Sequence, residues 1–289
     1  MSKILVTGAT GALGKLTVEA LLRRVGPERI AALARDPAKA IGLAKRGVDV
    51  RRGDYFDPDS LMSAFRDVDK VLMISAVAFT DRLTQQLNVI DAAKASGVKH
   101  IIYTSIQRKP GSTFEISMVT QADKDTEAAL KASGLAFTIL RNSLYLDVLP
   151  FMLGELVLEE GVRLTQGEGK GVLVARSDLA EANAVVLTEP GHENQTYTLG
   201  ASEAFSFSDV AAELSEISGK LVGFKGVSAR QYAQILEARG LPKHFADFLS
   251  EWSHAVSVGE FEQVTGDLER LTGRAPLSYK TYLRQIYGS

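Results

Sequence analysis

The stretch Lys3-Ile4-Leu5-Val6-Thr7-Gly8-Ala9-Thr10-Gly11-Ala12-Leu13-Gly14 decides the fold of this 289-residue chain. A short apolar run leads into three glycines spaced three apart, and a helix-length periodic stretch from Leu13 to Arg24 follows at once. In a strand–turn–helix unit each glycine has its own task. Gly8 permits the tight turn, Gly11 lets backbone N–H groups approach a pyrophosphate without a Cβ in the way, and Gly14 permits close helix packing. The helix N-terminus then stabilises the phosphate charge, with Thr10, Ala12 and Leu13 completing the cradle. The bland alternative is a turn that only joins a strand to a helix. Its place at the first turn of a βαβ chain favours nucleotide binding.

Outward from this turn the chain alternates short apolar runs with helical stretches. The candidate strands are Lys3 to Val6, Ile30 to Ala34, Val48 to Arg51, Lys70 to Ser75, Lys99 to Thr104 and Ala136 to Leu140. Between them lie candidate helices near Leu13 to Arg24, Pro37 to Arg46, Asp59 to Phe65, Arg82 to Ser96 and Gln121 to Ser133. This is the pattern of an α/β protein with a doubly wound parallel sheet covered on both faces, a Rossmann fold. Beyond Asn142 the alternation fades: Gly161 to Gly171 is turn-like, Ser177 to Thr188 reads as a helix and Gln195 to Leu199 as a strand of the same sheet. From Phe205 the chain is mostly helical, with Ser206 and Asp209 spaced as a capping box. The expected division is a Rossmann domain of residues 1–142 and 176–199. A smaller, mostly helical substrate-binding lobe is expected from residues 143–175 and 200–289.

Composition narrows the partners. With 45% hydrophobic and 24% charged residues the chain can bury a sizeable core, and a net charge of -2 offers no broad attraction for nucleic acid or an anionic membrane. A small molecule is the expected partner, bound by a monomer or homodimer. The absence of cysteine removes disulfides and thiolate chemistry together, which agrees with a reducing compartment, so a cytoplasmic location is expected. The N-terminal apolar run is broken by glycine too early for a signal peptide, and no segment reaches the roughly 18 apolar residues of a membrane span. The four histidines, His100, His192, His244 and His254, lack ligand spacing, so no metal is expected.

Ligands of open α/β sheets bind beyond the carboxyl ends of the strands. The second strand ends in Ala34-Arg35-Asp36, where an adenosine ribose should sit. A guanidinium there pairs with a 2′-phosphate and points to NADPH, with Lys39 as a helper. Asp36 supports the opposite reading, in which it caps the helix at Pro37 and Arg35 is a plain surface charge. Further along, Asp54 is placed to accept from an adenine amino group with Tyr55 flanking the ring. Ser75, Ala76, Thr104 and Ser105 lie at two more strand ends facing the same crevice. Asp54 reads equally as a turn starter and Ser75 as a strand end.

Three segments, Val6-Thr7-Gly8-Ala9-Thr10-Gly11-Ala12-Leu13-Gly14, Gly97-Val98-Lys99-His100-Ile101-Ile102-Tyr103-Thr104-Ser105 and Phe137-Thr138-Ile139-Leu140-Arg141-Asn142, resemble the NmrA-like group of atypical short-chain dehydrogenases. The likeness covers nearly the whole chain and lies nearest to bacterial NAD(P)H:quinone oxidoreductases of the NmrA-like type and to triphenylmethane reductase. It implies NADPH as cofactor and a substrate cleft roofed by the small lobe. By the same resemblance Arg35 matches the arginine that meets the 2′-phosphate. Asn142, Ser143 and Tyr145 match the segment beside the nicotinamide.

One departure bears on mechanism. Ordinary short-chain dehydrogenases use a Tyr-x-x-x-Lys pair to protonate an alkoxide, and no tyrosine here has a lysine four residues on. Lys124 lies near the position where some relatives carry a catalytic lysine, but Asp123 occupies that column, so Lys124 reads first as a solvated helix residue. Hydride transfer without a proton donor suits a quinone or similar conjugated acceptor, whose reduced product is delocalised. Holding nicotinamide and acceptor together in a water-poor cleft is then the main task. Phe114, Met118, Tyr145 and Phe151 are the expected cleft walls, though each also reads as core packing. The expected function is an NADPH-dependent reductase. A non-catalytic NAD(P)-sensing regulatory protein is the alternative.

Overall fold

A computed structural model describes residues 2–288 of the chain. Seven strands form one parallel sheet in the order β3-β2-β1-β4-β5-β6-β7. They are β1 (Ile4–Val6), β2 (Ile30–Ala34), β3 (Asp49–Arg52), β4 (Lys70–Met73), β5 (His100–Ile106), β6 (Ala136–Asn142) and β7 (Gln195–Leu199). The connecting helices are α1 (Ala12–Leu22), α2 (Ile41–Ala44), α3 (Pro58–Ala64), α4 (Arg82–Ala95) and α5 (Thr120–Ala132). The central strands are apolar on both faces because helices cover both, and β1, β2 and β5 are buried throughout. Every expected strand is present within a few residues. The expected helix from Pro37 to Arg46 is instead a 3-10 turn over Pro37–Ala40, capped by Asp36, followed by the short α2.

Beyond β6 come α6 (Leu149–Leu153), α7 (Val157–Glu160), α8 (Arg176–Thr188), α9 (Phe207–Ser218), α10 (Ala229–Ala238), α11 (Lys243–Ser257), α12 (Asp267–Thr272) and α13 (Tyr279–Tyr287). Ser206 and Asp209 form the capping box that starts α9, each satisfying a backbone N–H of the other's end. One face of the sheet is covered by α1 and α8, through Val18, Leu21, Leu179 and Val186. On the other face lie α3, α4 and α5, through Phe65, Val89, Ile90 and Leu130. A third core, with Phe205, Tyr232, Phe261 and Leu283 fully buried, belongs to the helices after Leu146.

Although residues 200–289 are expected in the smaller lobe, α12 lies against α8 and β7, and its Leu268 is buried in the sheet's own core. The reason is the exposed edge of β7. Asp267 accepts from the Thr198 N–H at 2.8 Å and the Thr265 hydroxyl donates to the Thr198 carbonyl, so this segment covers backbone groups that no further strand pairs. No helix among the described residues is long and apolar enough to cross a membrane.

Candidate active site

In the sheet order β1 stands between β2 and β4, so the connections run outward in opposite directions from this point and leave a crevice beyond the strand ends. The glycine-rich turn sits at that crevice. Gly8 has φ +56°, the left-handed region, and the Gly11 N–H donates to its carbonyl at 2.9 Å. Gly11 is the N-cap of α1, with no side-chain cap and no acidic residue in the first turn. The N–H groups of the first turn therefore lack an intrahelical acceptor and face outward beside the exposed Gly8, Gly11 and Ala12. Thr10 is half-buried, whereas Leu13 and Gly14 are buried beneath the turn. Such a terminus is ready to take an anion.

At the end of β2, Asp36 accepts from the Ala38 N–H at 3.0 Å, so the capping role is real. It does not absorb Arg35. That side chain is exposed and forms no ion pair among the described residues, and Lys39 is exposed beside it. Asp54 also acts locally: its Oδ1 accepts from the Phe56 N–H at 3.0 Å. Tyr55 does not flank an open base site. Its hydroxyl donates to the Ile74 carbonyl at 2.8 Å and also lies against Thr7 Oγ1, and its ring packs into the core beside α3 and α4. Burial pushes this phenol well above its ordinary pKa, so it holds β1, β3 and β4 together as a neutral group.

The ends of β4, β5 and β6 line a cavity of about 330 Å³. Ser75, Ser105, Asn142, Ser143 and Tyr145 all border it, as expected for residues beyond carboxyl strand ends. Thr104 and Ala76 serve instead as supports. Thr104 Oγ1 accepts from the Ser75 N–H at 3.0 Å, and the Ala76 N–H donates to Gln86 Oε1. Ser105 Oγ donates to Glu127, which Arg108 and Arg141 also hold. Burial works against ionisation of Glu127, but these donors outweigh it and hold the carboxyl below its usual range. The telling atoms are at the end of β6: the hydroxyl of Ser143 and both amide atoms of Asn142 are buried without a well-formed hydrogen bond, the Tyr145 hydroxyl being a neighbour of the Asn142 amide. Each such group costs roughly 1–3 kcal/mol unless something fills the cavity and bonds it.

The opposite wall is apolar and comes from α11. Phe245, Phe248, Leu249, Trp252 and Val256 face the cavity, and Phe79, on the loop after β4, packs edge-on against Phe245 and Phe248. These residues are absent from the expected set, although their i, i+3, i+4, i+7 spacing is a visible helical stripe. A stripe shows which face of a helix is apolar but not whether a core or a cavity lies opposite. Three of the four expected walls lie elsewhere. Met118 (φ +63°) and Phe151 are more than half exposed, and Phe114 packs against His254 without bordering the cavity. Lys124 is likewise outside, in a surface ion pair with Glu115 at 3.4 Å. Asp123, its neighbour, is fully buried at the cavity, bound by Arg82 and by the Tyr103 hydroxyl.

The fold and the cleft together define a dinucleotide-binding Rossmann protein with a cavity beyond the ends of its central strands. The chain belongs to the NmrA-like family, whose pattern matches residues 1–275. It is 38% identical over 273 residues to quinone oxidoreductase 2 of Escherichia coli, covering 93% of each chain. It is 31% identical over 283 residues to NAD(P)H azoreductase of Xenophilus azovorans, covering 97% of this chain and 96% of that one. Among solved structures it is similar to Citrobacter sp. triphenylmethane reductase complexed with NADP(H), with a TM-score of 0.92 and 36% identity over 98% of this chain and 99% of that one.

Proposed function

We propose that the chain is an NADPH-dependent reductase that passes a hydride to a quinone or a similar planar conjugated acceptor held under α11. The observation that carries this reading is the cavity with two unlike walls, one bearing the buried Asn142 amide and Ser143 hydroxyl, the other the aromatic stripe Phe245, Phe248 and Trp252. The polar wall suits the carboxamide edge of a nicotinamide ring, because Asn142 offers both a donor and an acceptor. The free N–H groups of the α1 terminus suit the pyrophosphate, and the unpaired Arg35 suits the 2′-phosphate. When bound, the cofactor supplies the hydride.

The chain's own residues position the partners and exclude water. Phe79 reaches from the Rossmann side to α11 and closes one side of the cavity with apolar surface. Trp252 and Phe248 offer ring faces and edges to a planar acceptor. Relatives named for quinones, azo compounds and triphenylmethane dyes support a conjugated acceptor. The test is direct: NADPH oxidation is followed by absorbance with a panel of quinones. Turnover well above the rate without protein supports the reductase, and tight NADPH binding with no turnover of any acceptor leaves a sensor in its place.

A further inference from the structure

We propose that Arg82 selects acceptors whose reduction leaves negative charge on oxygen, by donating to the acceptor's carbonyl oxygen in the cavity. The inference rests on the functional reading above and deepens it. Arg82 opens α4, is almost wholly buried and is one of the residues that line the cavity. Its Nε donates to Asp123 Oδ1 at 2.9 Å and its Nη2 to Oδ2 at 3.0 Å, while Nη1 donates to the Ala76 carbonyl. A guanidinium has five N–H groups. Three are used, which leaves one on each terminal nitrogen without an acceptor among the described residues.

Asp123 makes this donor rigid. Its carboxylate holds the Nε/Nη2 edge of the guanidinium with both oxygens and accepts from the Tyr103 hydroxyl at 2.6 Å, and Tyr103 is fully buried. Asp123 is therefore a positioning residue. A second guanidinium, Arg176, borders the same cavity, 4.4 Å above the ring of Tyr145. The lining thus carries two arginines against one carboxylate, an environment that favours gain of negative charge inside a water-poor space.

A quinone that accepts a hydride gains two electrons and one proton, so one oxygen becomes a hydroxyl and the other an oxyanion until solvent protonates it. Fixed donors aimed at that oxygen strengthen their hold as the charge develops. A triarylmethyl cation becomes neutral on the same step and gains nothing from Arg82. The pair therefore discriminates between two acceptor classes that the aromatic wall alone treats alike.

The test uses the protein loaded with NADP+ and 4-nitrophenol, whose two protonation states absorb differently. The wild type should bind the phenolate about tenfold more tightly than 4-nitroanisole, its methyl ether, and lower the apparent pKa of the bound phenol by about one unit. Arg82→Met should remove that preference. In turnover, Arg82→Met should cost about 100-fold in kcat/KM for a quinone and less than threefold for a triarylmethyl cation dye. Should Arg82→Met fail to fold because it strands Asp123, the pair Arg82→Gln with Asp123→Asn keeps hydrogen bonding without charge and is expected to show the same losses. A wild type without phenolate preference, or equal losses for both acceptor classes, overturns the proposal. Absence of quinone-dependent NADPH oxidation in the wild type would instead remove the functional reading beneath it.

Discussion

A Cβ placed on Gly14 would stand 2.1 Å from the carbonyl oxygen of Gly8 and 2.9 Å from the Cα of Ala9, so helix α1 can start where it does only because residue 14 has no side chain. A Cβ on Gly11 meets nothing nearer than that same oxygen at 3.2 Å. The two glycines therefore fail differently. Gly14→Ala is expected to destabilise the fold by about 1–3 kcal/mol through overpacking, read as a lower Tm without cofactor. Gly11→Val is expected to keep a Tm close to the wild type while NADPH affinity falls at least about 100-fold, because the branched side chain occupies the space in front of the free N–H groups. Undiminished NADPH affinity in Gly11→Val would refute the cofactor site.

Arg35 gives a cofactor-selective prediction. It is exposed and unpaired, so Arg35→Ala removes no internal contact and should leave stability within about 0.5 kcal/mol. Loss of a charge-assisted contact to a 2′-phosphate should lower kcat/KM for NADPH by roughly 10- to 100-fold and leave NADH little changed. Parallel losses for both cofactors would place Arg35 outside the phosphate site.

Trp252 is the sole tryptophan of the chain and borders the cavity. Its fluorescence should therefore respond to acceptor binding. Trp252→Ala should raise the acceptor KM by about tenfold through lost stacking on the order of 1 kcal/mol, with the NADPH Kd changing less than about twofold. An equal weakening of both ligands would mean that the cofactor, not the acceptor, lies against α11.

Lys124 tests whether a side-chain acid is needed at all. Its ion pair with Glu115 is exposed, with side chains 37% and 56% accessible, and such pairs are worth at most about 1 kcal/mol. Lys124→Ala should change quinone turnover by less than about tenfold, whereas removal of a general acid typically costs about 100-fold or more. Collapse of activity in this variant would show that the helix approaches the acceptor in a way its surface position does not suggest.

His100 gives a pH prediction at the opposite end of the sheet. Its Nε2 bonds Thr138 Oγ1 at 2.8 Å, and because the Thr138 hydroxyl donates to the His192 carbonyl, His100 is the donor. Burial, followed by the charge of Lys70, lowers its pKa from 6.5 to about 4. The unfolded chain thus binds more protons between these values, so the contribution is present above pH 6.5 and lost as pH falls toward 4, on the order of 3 kcal/mol in all. His100→Gln should flatten the fall of Tm between pH 6.5 and 4.5. An unchanged slope would show that other groups cause it.

The alternation of strands and helices, the glycine turn and the residues at the strand ends were legible in the sequence because each is a local property: a period of two or 3.6, a positive φ, a backbone approach too close for a Cβ. For the same reason Arg35 and Ser75 could be placed at strand ends from position in a βαβ series, whereas Asn142 and Tyr145 were reached only through the family resemblance. The cavity walls could not. Phe245, Phe248 and Trp252 lie about a hundred residues beyond β6, and whether an apolar stripe meets a packed core or an open cleft depends on how α11 sits against the strand ends, which non-local packing decides. Phe114, Met118 and Phe151 look equally apolar in sequence yet end up outside, and the Arg82–Asp123 pair joins two helices whose facing surfaces only the folded sheet brings together. Local backbone geometry is encoded within a few residues. Side-chain environment belongs to the tertiary structure, because burial and charge pairing are fixed by what arrives from elsewhere in the chain.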